Sequence, residues 1–122
     1  MIIDHIGLSV KDFSASVEFY SESLAPLRIE KIMEYETWAG FGRDGKPEFW
    51  FGEGSQIQVS MHIAFSAENR SQVDEFYRAA LAAGAKDNGE PGLRVEYHPN
   101  YYGAFVIDIN GHNLEAVCHN PE

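Results

Sequence analysis

Apolar residues alternate with small or polar ones from Ile2 to Val10, then recur at Phe13, Val17, Tyr20 and Leu24. Alternation sends successive side chains to opposite faces of a strand, whereas the wider spacing gathers them on one side of a helix. Asp12 stands where a carboxylate can accept from the unpaired N–H groups of that helix's first turn. The same switch returns later: Val59 to Phe65 alternate, Val73, Phe76, Tyr77, Ala80 and Leu81 form a helical stripe, and Gly84 supplies a stop. Strand character follows each helix, at Arg28–Tyr35, Trp38–Gly42 and Glu48–Phe51 in the first half. In the second it falls at Lys86–Asp87, Tyr101–Ile109 and Asn113–His119. The order βαβββ is therefore predicted twice. Asn110-Gly111, between two apolar runs, predicts a type I′ hairpin turn, and Asp44-Gly45 holds a similar place in the first half. Pro91-Gly92 and His98-Pro99-Asn100 punctuate a longer loop, so the second half is expected to carry the more elaborate cavity wall.

The two halves are related in sequence. Sliding residues 5–25 onto 62–82, an offset of 57, pairs nine identical residues in 21 positions without a gap, among them His5 with His62, Phe19-Tyr20 with Phe76-Tyr77, and Leu24-Ala25 with Leu81-Ala82. Such self-similarity marks a duplicated structural unit. The chain reads as one domain, 1–122, of two modules, about 1–53 and 57–122, joined near the small polar stretch from Gly52 to Gln56. The fold class is α+β. Two tandem βαβββ modules are expected to form a curved mixed sheet, a half-barrel, with helices on the outer face and a cleft on the inner one.

Strand alternation selects what faces that cleft. Ile6, Leu8 and Val10, then Met61, Ile63 and Phe65, and finally Leu114, Ala116 and Cys118 form the sets that pack under the helices. His5, His62 and Glu115 fall on the opposite face. Two imidazoles at one repeat position and a same-face carboxylate suit Fe(II), Mn(II), Ni(II) or Zn(II), with coordination sites left for substrate or water. Tyr101 or Tyr102, whichever points into the cleft, is a candidate hydrogen-bond donor. Glu48 and His98 are candidate acid–base groups, and Trp38 and Trp50 offer flat apolar walls for a substrate. Core packing accounts for the two Phe-Tyr pairs. His112 is expected to be structural or at the surface, and His119 to lie too near the chain end for catalysis.

The chain carries nine Lys and Arg against 19 Asp and Glu, a formal charge of −10. The excess is shared, with five basic and ten acidic residues in 1–56 and four and nine in 57–122. A surface of this sign repels a phosphate backbone and excludes nucleic acid as a partner. Its apolar runs are too short for a membrane span, no leader pattern opens the sequence, and one cysteine, Cys118, forms no internal disulfide. A cytoplasmic setting is expected.

Three segments, Asp4-His5-Ile6-Gly7-Leu8-Ser9-Val10, Met61-His62-Ile63-Ala64-Phe65, and Tyr101 to Glu115, resemble the vicinal oxygen chelate superfamily. It contains glyoxalase I, extradiol dioxygenases, fosfomycin-resistance enzymes and bleomycin-resistance proteins. The stretch Asp108-Ile109-Asn110-Gly111-His112-Asn113-Leu114-Glu115 is similar to the family's D-P-D-G-H-x-x-E ending, with Ile109 for Pro and Asn110 for the second Asp. The resemblance implies metal ligation by His5, His62 and Glu115 from the first, fifth and eighth strands. Glyoxalase members add a fourth ligand on the fourth strand. Here that position is Trp50, or Phe49 if the register slips, which favours the three-ligand, dioxygenase-like pattern and leaves Glu48 as a substitute. The implied function is divalent-metal-dependent chemistry on a small substrate bound through neighbouring oxygens. Thiol transfer to an anionic phosphonate fits less well, given the acidic chain. The alternative is a non-catalytic binding protein of the bleomycin-resistance type, acidic and aromatic-lined. A homodimer is expected in either case, because an open half-barrel exposes strand edges.

Overall fold

The computed structural model describes residues 2–121. Two βαβββ modules follow one another: β1 (Ile6–Val10), α1 (Phe13–Leu24), β2 (Glu30–Tyr35), β3 (Trp38–Arg43) and β4 (Lys46–Glu53), then β5 (His62–Ser66), α2 (Arg70–Ala82), β6 (Lys86–Leu93), β7 (Tyr102–Ile107) and β8 (Asn113–Cys118). Each module is a four-stranded mixed sheet, ordered β1-β4-β3-β2 and β5-β8-β7-β6, with its first and last strands paired in parallel. The half-barrel thus consists of two curved sheets, and β1 and β5 lie at their edges rather than in one ladder.

Asp12 Oδ1 accepts from Ala15 N at 3.0 Å and Asn69 Oδ1 from Gln72 N at 2.8 Å, so both helices start on side-chain caps. The buried face of α1 carries Phe19 and Tyr20, and the Tyr20 ring meets Phe49 at 4.9 Å and Phe51 at 5.2 Å on β4. In α2 the buried set is Val73, Phe76 and Ala80. Leu8, Val10, Ile63, Leu114, Ala116 and Cys118 are buried as alternation requires.

Buried polar bonds also tie the modules together. The Tyr20 hydroxyl donates to Asp108 Oδ2, while Asp108 Oδ1 accepts from Asn110 N at 2.9 Å and His112 N at 2.8 Å. His112, fully buried, accepts from Met61 N through Nδ1 at 2.9 Å. Its role is structural.

The strands depart from the expected bounds for identifiable reasons. The β1–β4 ladder runs out at Ile6–Phe49, close to Pro47, which has no N–H to give, so Ile2, Ile3 and His5 precede the strand. Likewise β5 begins at His62, leaving Val59 exposed. Strand β6 extends to Leu93, past Gly89, Pro91 and Gly92, because β7 supplies a pairing partner for it. Type I′ geometry occurs at Asp44 (φ 53) and Gly45 (φ 79) between paired Arg43 and Lys46. At the second turn only Gly111 (φ 89) is left-handed, and residues 108–112 form a longer loop organised by the Asp108 carboxylate rather than a two-residue turn.

Candidate functional site

On the face of the second sheet turned away from α2, adjacent strands bring His62 and Glu115 together. Ala64 pairs with Glu115 and His62 with Asn113 across parallel β5 and β8, and the His62 Nε2–H donates to Glu115 Oε1 at 2.9 Å. Glu115 is 1% exposed, so its charge is held away from water and must be met by protein donors. The second donor is the Tyr101 hydroxyl, bonded to Oε2. Burial and this bond push the Tyr101 phenol far above its ordinary pKa, so it keeps its proton as a donor. Gly103 leaves room for both groups: a Cβ there would stand 3.2 Å from Glu115 Oε2 and 3.3 Å from the Tyr101 ring.

Strand parity separates the two candidate tyrosines. Phe105 pairs with Glu115, and Tyr101 lies four residues before it on the same face. Tyr102 points the other way, donating to Asp74 Oδ1 on α2 at 2.6 Å under the Arg70 guanidinium, so it does not share a surface with Glu115. His98 lies in the β6–β7 loop, where its Nδ1 accepts from Asn100 N and its ring meets His119 at 5.8 Å. His119 also packs edge-on against Tyr101 at 5.2 Å, which brings both histidines nearer this face than the sequence suggests.

His5 stands apart within one chain, and no cluster of three metal-binding side chains occurs among the described residues. Its Nδ1–H donates to Asp4 Oδ1 at 2.7 Å, and Lys46 Nζ lies 3.3 Å from Asp4 Oδ2. His5 and Lys46 together hold the Asp4 carboxyl below its usual range. A carboxylate on Nδ1 leaves Nε2 bare and outward, the arrangement that commonly orients a metal-binding imidazole. His62 and Glu115 supply the nitrogen and oxygen donors that first-row divalent ions accept. The donor chemistry of this pair fits such an ion, and His5 is not clustered with it in the chain.

The first sheet offers a different face. Gly7 pairs with Trp50 as Ala64 pairs with Glu115, so Trp50 occupies the first module's equivalent of the carboxylate position. Its indole lies on Gly40, where a Cβ would come within 2.8 Å, and Trp38 and Tyr35 continue an aromatic row at ring separations of 5.2 and 5.8 Å. Tyr35 and Trp38 are exposed. A cavity of about 360 Å³ runs between the modules, lined by Ile6, Phe49, Ile63 and Phe65, with Arg43, Glu48, His62 and Ser66 as its polar residues. His62 therefore borders both the cavity and the Glu115 carboxylate, whereas Glu115, Trp38 and Trp50 lie outside the cavity wall.

A sequence model of the glyoxalase/bleomycin resistance protein/dioxygenase superfamily matches residues 2–116. The chain belongs to that superfamily. A glyoxalase/bleomycin resistance protein from Albidiferax ferrireducens T118 has the same fold, with a TM-score of 0.86 at 23% identity over 97% of this chain and 99% of that one. A family enzyme from Burkholderia phytofirmans PsJN gives a TM-score of 0.75 at 16% identity, covering 97% and 98%. The fosfomycin resistance protein FosX from Listeria monocytogenes gives 0.70 at 24% identity, covering 93% and 89%. No curated protein matches the sequence. Superfamily members generally use divalent metals, bind small molecules and often dimerise. Among the described residues, no helix is long and apolar enough to cross a membrane.

Proposed function

We propose that this superfamily member is a divalent-metal-dependent enzyme acting on a small substrate through two neighbouring oxygens. The observation that carries the reading is the buried Glu115 carboxylate, held between His62 Nε2 and the Tyr101 hydroxyl on one sheet face. His62 and Glu115 would hold the ion. His5, pre-oriented by Asp4 but outside the pair in its own chain, would join from a second copy in a homodimer. Fe, Mn, Ni and Zn all suit this donor set. The bound ion supplies Lewis acidity toward charge developing on a substrate oxygen. Tyr101, a donor that keeps its proton, holds the carboxylate oriented, and the aromatic row of Trp38 and Trp50 would offer a flat apolar wall to part of the substrate. Glu48 and His98 are the groups available to move a proton.

Metal analysis of purified protein, combined with sedimentation, tests this directly. One transition metal per chain, lost in His62→Ala and Glu115→Ala and also in His5→Ala while the dimer persists, is the expected result. A protein that takes up no Fe(II), Mn(II), Ni(II) or Zn(II) would overturn the reading.

The exposed aromatic row and the charge of −10 support one competing reading, sequestration of a cationic aromatic ligand such as bleomycin. Bleomycin affinity unchanged by His5→Ala, in protein devoid of metal, is the outcome that favours it.

A further inference from the structure

We infer that Arg94 anchors an anionic group of the substrate, and that the site takes a small carboxylate which also carries two neighbouring oxygens. This deepens the proposed function and rests on it. In a chain with 19 acidic residues, no carboxylate among the described residues lies within ion-pair distance of Arg94. Its guanidinium is instead held by backbone: Nη1 donates to Gly92 O at 2.8 Å and Nη2 to Glu90 O at 2.7 Å. Carbonyl oxygens fix the group's orientation without cancelling its charge.

Its location is what gives that charge a use. The guanidinium carbon lies 5.4 Å from the centre of the Phe105 ring. Phe105 pairs directly with Glu115, and its ring lies 6.2 Å from that of His62. A cation is thus stationed one aromatic ring away from the His62–Glu115 pair, on the same sheet face. Gly89 and Gly92 make the space, since a Cβ at either would stand 3.2 Å from a guanidinium nitrogen. Two of the five N–H groups are engaged by those carbonyls. The remaining edge of a planar fork matches a planar monoanion in two parallel hydrogen bonds, which is the reason to assign a carboxylate.

Three probes of one skeleton decide the matter: 3,4-dihydroxybenzoate, 3,4-dihydroxybenzamide and catechol, titrated calorimetrically into Mn(II)-loaded and metal-free protein. The acid should bind at least tenfold more tightly than the amide. Arg94→Gln should bring that ratio below threefold while leaving catechol affinity within twofold, and Arg94→Lys should fall between. Equal binding of acid and amide by the unaltered protein, or an undiminished ratio in Arg94→Gln, overturns the assignment. So does tighter binding of 3,4-dihydroxyphenylphosphonate than of the carboxylate, which would make the anchor one for a tetrahedral anion. Should Arg94→Gln fail to fold by circular dichroism, the acid-to-amide ratio of the unaltered protein and Arg94→Lys still decide. Catechol binding that ignores Mn(II) would sink the metal reading, while the acid-to-amide ratio would continue to report on Arg94. Failure of all three probes to bind loaded protein would overturn both.

Discussion

Replacing Tyr20 by Phe removes one oxygen at the junction between the modules. The ring stays, so the packing on Phe49 and Phe51 is preserved and no cavity opens. Asp108, 5% exposed, retains Asn110 N and His112 N on Oδ1 but loses the donor to Oδ2. A hydrogen bond to a charged acceptor contributes roughly 1.5–3 kcal/mol, so a loss of about 2 kcal/mol is expected at pH 7. For a domain of this size that corresponds to roughly 6–12 °C in Tm. The effect depends on pH with a definite sign. Burial, and then the Asp108 carboxylate, raise the Tyr20 pKa well above normal, so the folded chain keeps a proton that the unfolded chain releases. The resulting stability is complete below the unfolded value of about 10 and declines above it by about 1.4 kcal/mol per pH unit. Tyr20→Phe lacks that decline, so urea melts at pH 7, 9, 10.5 and 11.5 should show the two proteins converging as pH rises. Tyr77 and Tyr101 are also shifted upward, so the variant keeps a residual slope. A difference below 0.5 kcal/mol at pH 7, or one that stays constant to pH 11.5, would refute the assignment of a buried Tyr20–Asp108 bond.

Tyr101→Phe strips Glu115 of one donor and should weaken Mn(II) binding roughly tenfold by calorimetry, the scale of an outer partner's contribution, with little change in fold. Gly40→Ala places a methyl within 2.9 Å of three Trp50 ring atoms; about 1–3 kcal/mol of stability and a shift in tryptophan emission should follow, the former reduced in a Gly40→Ala/Trp50→Ala double variant. Asp12→Ala removes the acceptor for Ala15 N and should cost about 1 kcal/mol in a denaturant melt.

The duplication and the His62–Glu115 face were legible because both rest on periodicity. An offset of 57 aligns the modules, and alternation along β5 and β8 puts His62 and Glu115 on one side. Tyr101 was separable from Tyr102 only once Phe105 was known to pair with Glu115, because parity needs a register. His5 shows the limit of the same reasoning: alternation names a face, but not how two sheets sit relative to each other or where a ladder stops. Only two residues of strand β6 show strand character in the sequence, because Gly89, Pro91 and Gly92 lack strand propensity, and its order comes from long-range pairing with β7. Those glycines were a usable clue to Arg94. In a Gly-x-x-Gly-x-Arg stretch the missing side chains leave a guanidinium room to lie on the sheet, yet nothing local says which aromatic it will cover.

Trp50 standing where its sister module has Glu115 breaks the symmetry that the repeat would otherwise impose. Were both positions acidic, the proposed ion could be held from either sheet, and a change to one would alter how it is held. On the proposed reading the first module contributes His5 but no carboxylate at this position, so the face around Trp50 can vary in shape and polarity while the His62–Glu115 pair keeps its chemistry. On the proposed reading, residue 50 is a position at which ligand preference could be retuned at little cost to ion affinity, a freedom that two identical halves would not have.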